Sequence, residues 1–111
     1  MPRIVRTTTG NAHQAIANLS PFATSGALSG RAPHGQHFGP WDSGRLPREH
    51  IESFQRATYA VFSYATPIAW VVDGAWVIPT TRYSLTTSRH QSAARHGAHL
   101  SGLDVTAQVA A

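Results

Sequence analysis

The segment TYAVFSYATPIAWVVDGAWVIP (residues 58–79) decides the fold of this chain. It contains three short runs rich in aromatic and β-branched residues, which favour strands over helices. Asp73-Gly74 separates the second run from the third, and this dipeptide is the strongest short signal for a two-residue hairpin turn. Ala65-Thr66-Pro67 makes a second tight connection, between the first two runs. The segment therefore predicts an antiparallel meander of three strands, with residues 82–85 as a candidate fourth strand.

The register of the hairpin follows from its turn. With Asp73 and Gly74 at the two turn positions, Trp70 lies opposite Val77, and Val71 lies opposite Trp76. Side chains alternate between the faces of a strand, so the flanking residues divide into two sets. One face carries Trp70, Val72, Ala75 and Val77, and the other carries Ala69, Val71, Trp76 and Ile78. Because both sets are apolar, we expect other parts of the chain to cover both faces of the sheet.

Two segments before the meander have the pattern of short helices. Apolar residues at spacings of three, four and seven predict an amphipathic helix over residues 11–19, with Thr9 or Asn11 as its cap. The segment PREHIESFQR (47–56) begins with Pro and has its acids early and an Arg late. That arrangement predicts a helix of two turns.

Together with a third helix near the C-terminus, these patterns predict an α+β fold: a small antiparallel β-meander of three to four strands, packed with a C-terminal helix and a short N-terminal helix. We expect a single domain over residues 9–100, preceded by a flexible arm (1–8) and followed by a tail (101–111). Residues 23–48 are rich in Gly, Pro, Ser and His, which predicts a long loop held by a few apolar anchors.

The charge balance favours an acidic partner. All nine basic side chains are Arg, five acids oppose them, and the formal net charge is +4 at pH 7. Arg makes forked contacts to phosphate, so nucleic acid is the first partner to consider. The absence of Cys excludes disulfides and thiolate chemistry. The first residues lack the apolar core of a signal peptide and no apolar run is long enough to span a membrane, so we expect no membrane partner and a cytoplasmic location in a bacterial host cell.

Two motifs carry a resemblance to a known family. Residues 63–69 match an SY-x-TPIA segment, and residues 83–91 match a YS-x-TTS-(R/K)-HQ segment, in that order. The chain thereby resembles a family of small proteins of unknown function that actinobacterial phages and related mobile elements carry. The resemblance covers residues 58–96 and, more loosely, 21–30, whereas residues 31–50 fit less well. It implies a phage or mobile-element origin, and it supplies no activity or catalytic residue.

The segment TTSRHQ (residues 86–91) is the strongest candidate for a binding site. Ser88 and Gln91 have the spacing of a capping box, which predicts a helix from Ser88 to about His96 that ends at Gly97. The start of a helix presents unpaired backbone N–H groups and the positive end of the helix dipole, and both attract anions. The candidate nucleic-acid or anion-binding residues are Arg82, Thr86, Thr87, Ser88, Arg89, His90, Arg95 and His96. The simpler alternative is that Ser88 and Gln91 only cap the helix, while the two threonines finish a strand.

Along this helix, helical periodicity predicts two faces. Arg89, Ser92, Arg95 or His96, and His99 fall near one face, and His90, Ala93, Ala94 and Leu100 fall towards the other. An Arg-bearing stripe would lie along a phosphate backbone, and its alternative is an ordinary solvated face. Exposed aromatic rings would add base stacking or protein contacts. The candidates for such an interaction surface are Trp41, Tyr59, Tyr64 and Tyr83, each of which has a place in the core as its alternative.

Metal and catalytic sites are not expected. The seven histidines include His34-x-x-His37 and His96-x-x-His99, but a zinc site usually also has Cys or carboxylate ligands, which are scarce here. A serine, a histidine and an aspartate are available for a nucleophilic triad without any supporting motif. No nucleotide-binding glycine pattern occurs. We therefore expect no metal, no cofactor and no enzymatic activity.

Two functions remain open from the sequence. In the first, the chain is a small basic phage-type accessory protein that binds nucleic acid through the Arg-bearing helix and its N-terminal turn. In the second, it is an interaction module that inhibits a host protein of defence or transcription, through its Gly/Pro/His-rich loop and exposed aromatic residues. In both cases protonation of histidines below about pH 6.5 would strengthen binding to an acidic partner.

Overall fold

The computed structural model describes residues 4–79 and 85–107. Within these residues, seven strands form one sheet, and their order across the sheet is their order along the chain. The strands are β1 (Val5–Arg6), β2 (Phe22–Ala23), β3 (Leu28–Arg31), β4 (Tyr59–Ser63), β5 (Thr66–Val72), β6 (Ala75–Val77) and β7 (Val105–Ala107). The helices are α1 (Ala12–Ala17), α2 (Arg48–Gln55) and α3 (Leu85–Ser101), and a 3-10 turn (Pro40–Asp42) precedes α2.

The predicted hairpin is confirmed. Asp73 and Gly74 have φ angles of 53° and 77°, and both must be positive in a type I′ turn. Trp70 pairs with Val77 and β5 runs antiparallel to β6, as the turn position requires. β4 is the third strand of the predicted meander and pairs antiparallel with β5. The α+β class is therefore confirmed. The sheet differs from the predicted three to four antiparallel strands, because in the described residues it has seven strands and its two outermost pairs are parallel.

Each face of the sheet has its own core, as the two apolar sets predicted. On one face, α1 and α3 cover Val71, Trp76 and Ile78. On the other face, α2 and two anchors of the preceding segment cover Trp70, Val72 and Val77; the anchors are Phe38 and Leu46. Both tryptophans of the hairpin are fully buried, and their burial supplies much of the apolar area that stabilises the sheet.

Two helical crossovers close the sheet at its edges. α1 joins β1 to the parallel strand β2, and α3 joins β6 to the parallel strand β7. Between β2 and β6 every neighbouring pair is antiparallel, so β1 and β6 run in the same direction. Both crossovers therefore step across the sheet the same way, and a common handedness places their helices on one face. The starts of α1 and α3 and the β2–β3 and β4–β5 turns consequently share one end of the sheet, which we call the helix-start end.

Three segments predicted to be irregular form strands instead. Part of the predicted flexible arm is β1, part of the predicted tail is β7, and the predicted loop over residues 23–48 contains β3. β3 pairs with β2 on one side and β4 on the other, so its stability comes from pairing rather than from its own sequence, LSGR. A side chain at Gly30 would collide with Phe22 and Tyr59, which explains a glycine in this strand.

The two predicted helices before the meander are confirmed, with small shifts at their ends. α1 begins after Asn11, whose side chain makes no cap hydrogen bond. The Oγ1 atom of Thr8 accepts a hydrogen bond from the Asn11 N–H at 3.2 Å, and so takes part in this turn in place of the predicted Thr9. α2 starts directly after Pro47 and carries Glu49 in its first turn, as the pattern of the segment indicated.

α3 is longer than predicted at both ends. The prediction of Gly97 as its end is wrong, because Gly97 lies inside the helix at the crossing with α1. The left-handed residue that follows the helix is Gly102, with φ of 80°. The predicted fourth strand is wrong at Leu85, which is helical, and residues 82–84 lie outside the described residues.

Candidate nucleic-acid interface

The capping box predicted at Ser88 is wrong, because α3 begins at Leu85 and Ser88 is already inside it. The Ser88 carbonyl accepts a hydrogen bond from Ser92 Oγ at 3.2 Å, and Gln91 is buried rather than folded back over a helix start. Packing of α3 against α1 and the sheet outweighs a local capping preference worth about 1 kcal/mol. Arg82 and Tyr83, and the side chains of Thr86 and Thr87, lie outside the described part of the chain.

The outward face of α3 carries the predicted cationic residues. The exposed positions are Arg89, Ser92, Arg95, His96, His99 and Leu100. His90, Gln91, Ala94, Gly97 and Ala98 are buried. The predicted faces therefore hold, except that Leu100 is 52% exposed and so does not belong to the buried side.

The face continues from α3 onto α1 through a pair of histidines. The His13 ring of α1 stacks on the His96 ring of α3, with ring centroids 4.4 Å apart and an angle of 13° between the planes. Neither helix contains an acidic residue. The surface formed by α1 and the outward side of α3, which we call the two-helix face, therefore has positive charge on Arg89 and Arg95 and no negative charge from its own helices.

His90 does not belong to this face, and its prediction as an anion-binding residue is wrong. It is 5% exposed and lies against β4, where its Nδ1 atom is 2.7 Å from Ser63 Oγ in a hydrogen bond. Burial lowers the pKa of His90, which favours a neutral ring. A neutral, buried imidazole binds no phosphate, and its role is to hold the start of α3 to the sheet.

Only some of the aromatic residues predicted to form an interaction surface are exposed in the structure. Tyr59 is wrong as a surface residue: it is 3% exposed, and its hydroxyl donates a 2.7 Å hydrogen bond to the Ser20 carbonyl. Trp41 and Tyr64, by contrast, are 83% and 65% exposed. Tyr64 follows β4 at the helix-start end of the sheet, and its ring lies 6.4 Å from that of His90.

Trp41 is held in a rigid turn rather than in a loose loop. Asp42 Oδ2 accepts a 2.9 Å hydrogen bond from the Gly39 N–H, and Asp42 Oδ1 accepts one of 2.8 Å from Arg31 Nη2. Burial acts to raise the pKa of the Asp42 carboxyl, but the hydrogen bonds from Arg31 and Gly39, together with the charges of Arg31 and His34, hold this pKa below its usual value. Asp42 is therefore ionised and already neutralised by Arg31, so it does not oppose an anion beside Trp41.

The turn that carries Trp41 is joined to the β4–β5 turn that carries Tyr64. The Arg45 N–H donates a 2.9 Å hydrogen bond to Thr66 Oγ1. Gly44 has φ of 53°, and a side chain on it would collide with the Ala65 carbonyl, so the two backbones are in direct contact. This association was not predicted, because no periodic pattern in residues 31–47 indicates which part of the sheet they meet.

A second concave region lies at the far end of α3. A cavity of about 410 Å³ lies between the end of the helix and β7, with Arg95, His99 and Asp104 on its polar side and Ile78, Leu103 and Val105 on its apolar side. Sequence reasoning missed it because β7 lies in the predicted tail. Asp104 offsets the positive charge here, so this end of α3 is less suited to an anion than the end at Arg89.

The described residues contain neither a cluster of metal ligands nor a membrane-spanning helix. In residues 4–79 and 85–107, no three His, Cys, Asp or Glu side chains come together in a way that would hold a metal ion. Within the same ranges, no helix is long and apolar enough to cross a membrane.

The fold and this surface define a small α+β domain with an arginine-bearing helical face. The chain belongs to a family of unknown function, DUF8033, whose model matches residues 34–103. The match includes the hairpin, α2 and α3. It begins at residue 34, so the family model also covers most of the segment 31–50. No curated protein and no solved structure matches this chain.

Proposed function

We propose that this chain binds nucleic acid along the two-helix face, with Arg89 and Arg95 as its main phosphate contacts. The observation that carries the proposal is that both arginines are exposed and form no ion pair within the described residues. Their Cα atoms are separated by about 9 Å along the helix axis, from a rise of about 1.5 Å per residue. Two guanidinium groups at that spacing suit separate phosphates of one strand.

The distribution of the acids supports the same face. Glu49 and Glu52 lie on α2, on the opposite side of the sheet. Asp42 is ion-paired with Arg31, at 2.8 Å. Asp73 and Asp104 lie at the end of the sheet away from the helix-start end, since one follows β5 and the other precedes β7; Asp104 shares the cavity there with Arg95 and lies away from Arg89. The described acids are thereby either paired or distant from the place where α1 and α3 begin, so the potential beside Arg89 stays positive and raises the local concentration of a polyanion.

The start of α3 adds to this potential. Its first four backbone N–H groups have no partner within the helix, and the helix dipole places partial positive charge there. Arg89 lies one turn further along, so that an anion near the helix start would meet both. Among the described side chains, the predicted contacts that remain are Ser88, Arg89, Arg95 and His96.

The test compares two variants of equal charge. Arg89→Ala with Arg95→Ala removes the proposed contacts, while Arg48→Ala with Arg56→Ala removes two exposed arginines from the ends of α2. We expect only the first variant to lose about tenfold or more in affinity for nucleic acid at low salt, and its log–log salt slope to decrease by about 1.5 to 2. Equal losses in both variants would mean that only net charge matters, and unchanged binding in the first would refute the proposal.

A second candidate function is supported by the exposure of Trp41. A tryptophan that is 83% exposed in a rigid turn has the character of a binding hot spot, and the partner of such a residue is often a protein. The chain would then inhibit a host protein of defence or transcription, and an origin in a phage or mobile element belongs to this proposal as well as to the first. A pull-down from the natural host that captures one protein and no nucleic acid would favour this second function.

A further inference from the structure

The helix-start end of the sheet carries two aromatic and two cationic side chains. Trp41 and Arg45 lie on the segment 39–45, Tyr64 lies in the adjoining β4–β5 turn, and Arg89 lies in the first part of α3 beside that turn. All four side chains are exposed. We call this set the aromatic edge; it wraps from the α2 side of the sheet to the two-helix face.

Each aromatic ring of this edge is supported by the protein and open on the rest of its surface. A side chain on Gly39 would lie 2.4 Å from ring atoms of Trp41, so the indole packs directly against the Gly39 backbone. The Tyr64 ring is tilted against the buried His90 ring, with centroids 6.4 Å apart. Support on one side fixes a ring in position, which lowers the entropic cost of stacking a ligand on the other.

The backbone conformation at Tyr64 does not favour a tyrosine at this position of the turn. Its φ is 58°, a left-handed conformation that Gly or Asn adopts far more easily than a bulky side chain. The Tyr64 N–H is fixed by a 2.9 Å hydrogen bond to the Ala27 carbonyl, so the conformation is imposed by the sheet. Strained positions of this kind concentrate at functional sites. A tyrosine that is both strained and exposed is better explained by a ligand than by folding.

The cations that accompany the rings indicate the chemistry of the ligand. Arg45 and Arg89 form no ion pair within the described residues, and the nearest acid on the segment, Asp42, is already paired with Arg31. Exposed planar rings together with unpaired guanidinium groups match a strand of unpaired bases joined by phosphates, since bases stack on aromatic rings without sequence preference. A duplex keeps its bases stacked on one another and offers them to neither ring. We infer that the aromatic edge binds single-stranded nucleic acid, an inference that rests on the nucleic-acid binding proposed above.

Intrinsic fluorescence gives a direct test, because the other two tryptophans, Trp70 and Trp76, are fully buried. Titration with a short oligodeoxythymidylate at low salt should quench the emission of Trp41, and a duplex of the same length should quench it little. The single strand should bind about tenfold or more tightly than the duplex. Trp41→Phe should abolish the quenching while it retains most of the affinity, since a phenyl ring still stacks.

The deciding variant is Trp41→Ala combined with Tyr64→Gly, because glycine accepts the positive φ and so spares the fold. It should bind the single strand at least about fivefold more weakly and the duplex with unchanged affinity. Unchanged single-strand affinity in this variant, with binding lost when Arg89 and Arg95 are replaced, would overturn the inference and leave the proposed function standing. Absence of all nucleic-acid binding would refute both, and capture of a host protein that depends on Trp41 would assign the edge to a protein partner.

Discussion

The side chain of Ile16 in α1 lies directly against the backbone of Gly97 in the middle of α3. A Cβ atom on Gly97 would stand 2.5 Å from both Cβ and Cγ2 of Ile16 and 3.0 Å from the His13 carbonyl oxygen. Contacts that short do not occur between packed side chains, so the two helices approach as closely as they do only because this residue is glycine. The two-helix face, and with it the position of Arg95 and His96, depends on this contact.

Gly97→Ala should therefore destabilise the protein, although alanine is the better helix former by about 1 kcal/mol. We expect the free energy of unfolding to decrease by about 1 to 3 kcal/mol, because the added methyl group forces α1 away from α3. Chemical denaturation followed by circular dichroism measures the change. Ser92→Ala, at an exposed position of the same helix, is the control and should alter stability by less than about 0.5 kcal/mol. Stabilisation by Gly97→Ala would contradict the packing described.

Substitutions at Gly74 test the backbone conformation of the hairpin turn without changing side-chain packing. Its φ is 77°, and no atom lies within 4 Å of the place that a side chain would occupy. Gly74→Val should lower the free energy of unfolding by about 1 kcal/mol or more, since a β-branched residue is strained at positive φ. Gly74→Asn should cost clearly less, because asparagine tolerates this conformation. Equal thermal stability of the two variants would mean that backbone strain does not govern this position.

His90 makes stability depend on pH in a defined direction. Burial lowers the pKa of His90 in the folded protein, so the unfolded chain takes up this proton more readily. The contribution of the neutral His90 to the free energy of unfolding is fully present above the unfolded-state pKa of about 6.5. It is progressively lost as the pH falls below that value. His90→Asn keeps a hydrogen-bonding atom near Ser63 and removes the titration. Unfolding free energies measured at several pH values should decrease less steeply on acidification in this variant than in the wild type, and parallel curves would contradict the assignment.

Much of the central sheet could be predicted because its signals are local. Asp73-Gly74 fixes a two-residue turn through the φ angles that it permits, and the turn then sets which of Trp70, Val71 and Val72 share a face. The exposed stripe of α3 was predictable for the same reason, since helical periodicity alone separates Arg89 and Arg95 from Ala94.

The errors concern residues whose environment is made by distant parts of the chain. Tyr59 and His90 have polar groups that suit a surface, yet both are buried because Ser20 and Ser63 satisfy their hydrogen bonds from other elements. Gly97 has the identity of a helix end and serves a helix crossing instead. The start of α3 was misplaced because the capping-box spacing at Ser88 is a weak preference that tertiary packing outweighs.

What the sequence determined by itself is therefore the two-sided apolar hairpin, its turn, and the cationic side of the last helix, all of which follow from steric limits and periodicity within a few neighbouring residues. Only the tertiary structure decided that β1, β3 and β7 join the sheet and that the segment with Trp41 meets the turn with Tyr64. The physical reason is that edge strands and loop contacts are stabilised by hydrogen bonds and packing with residues far away in the chain, whose free energy no local pattern records.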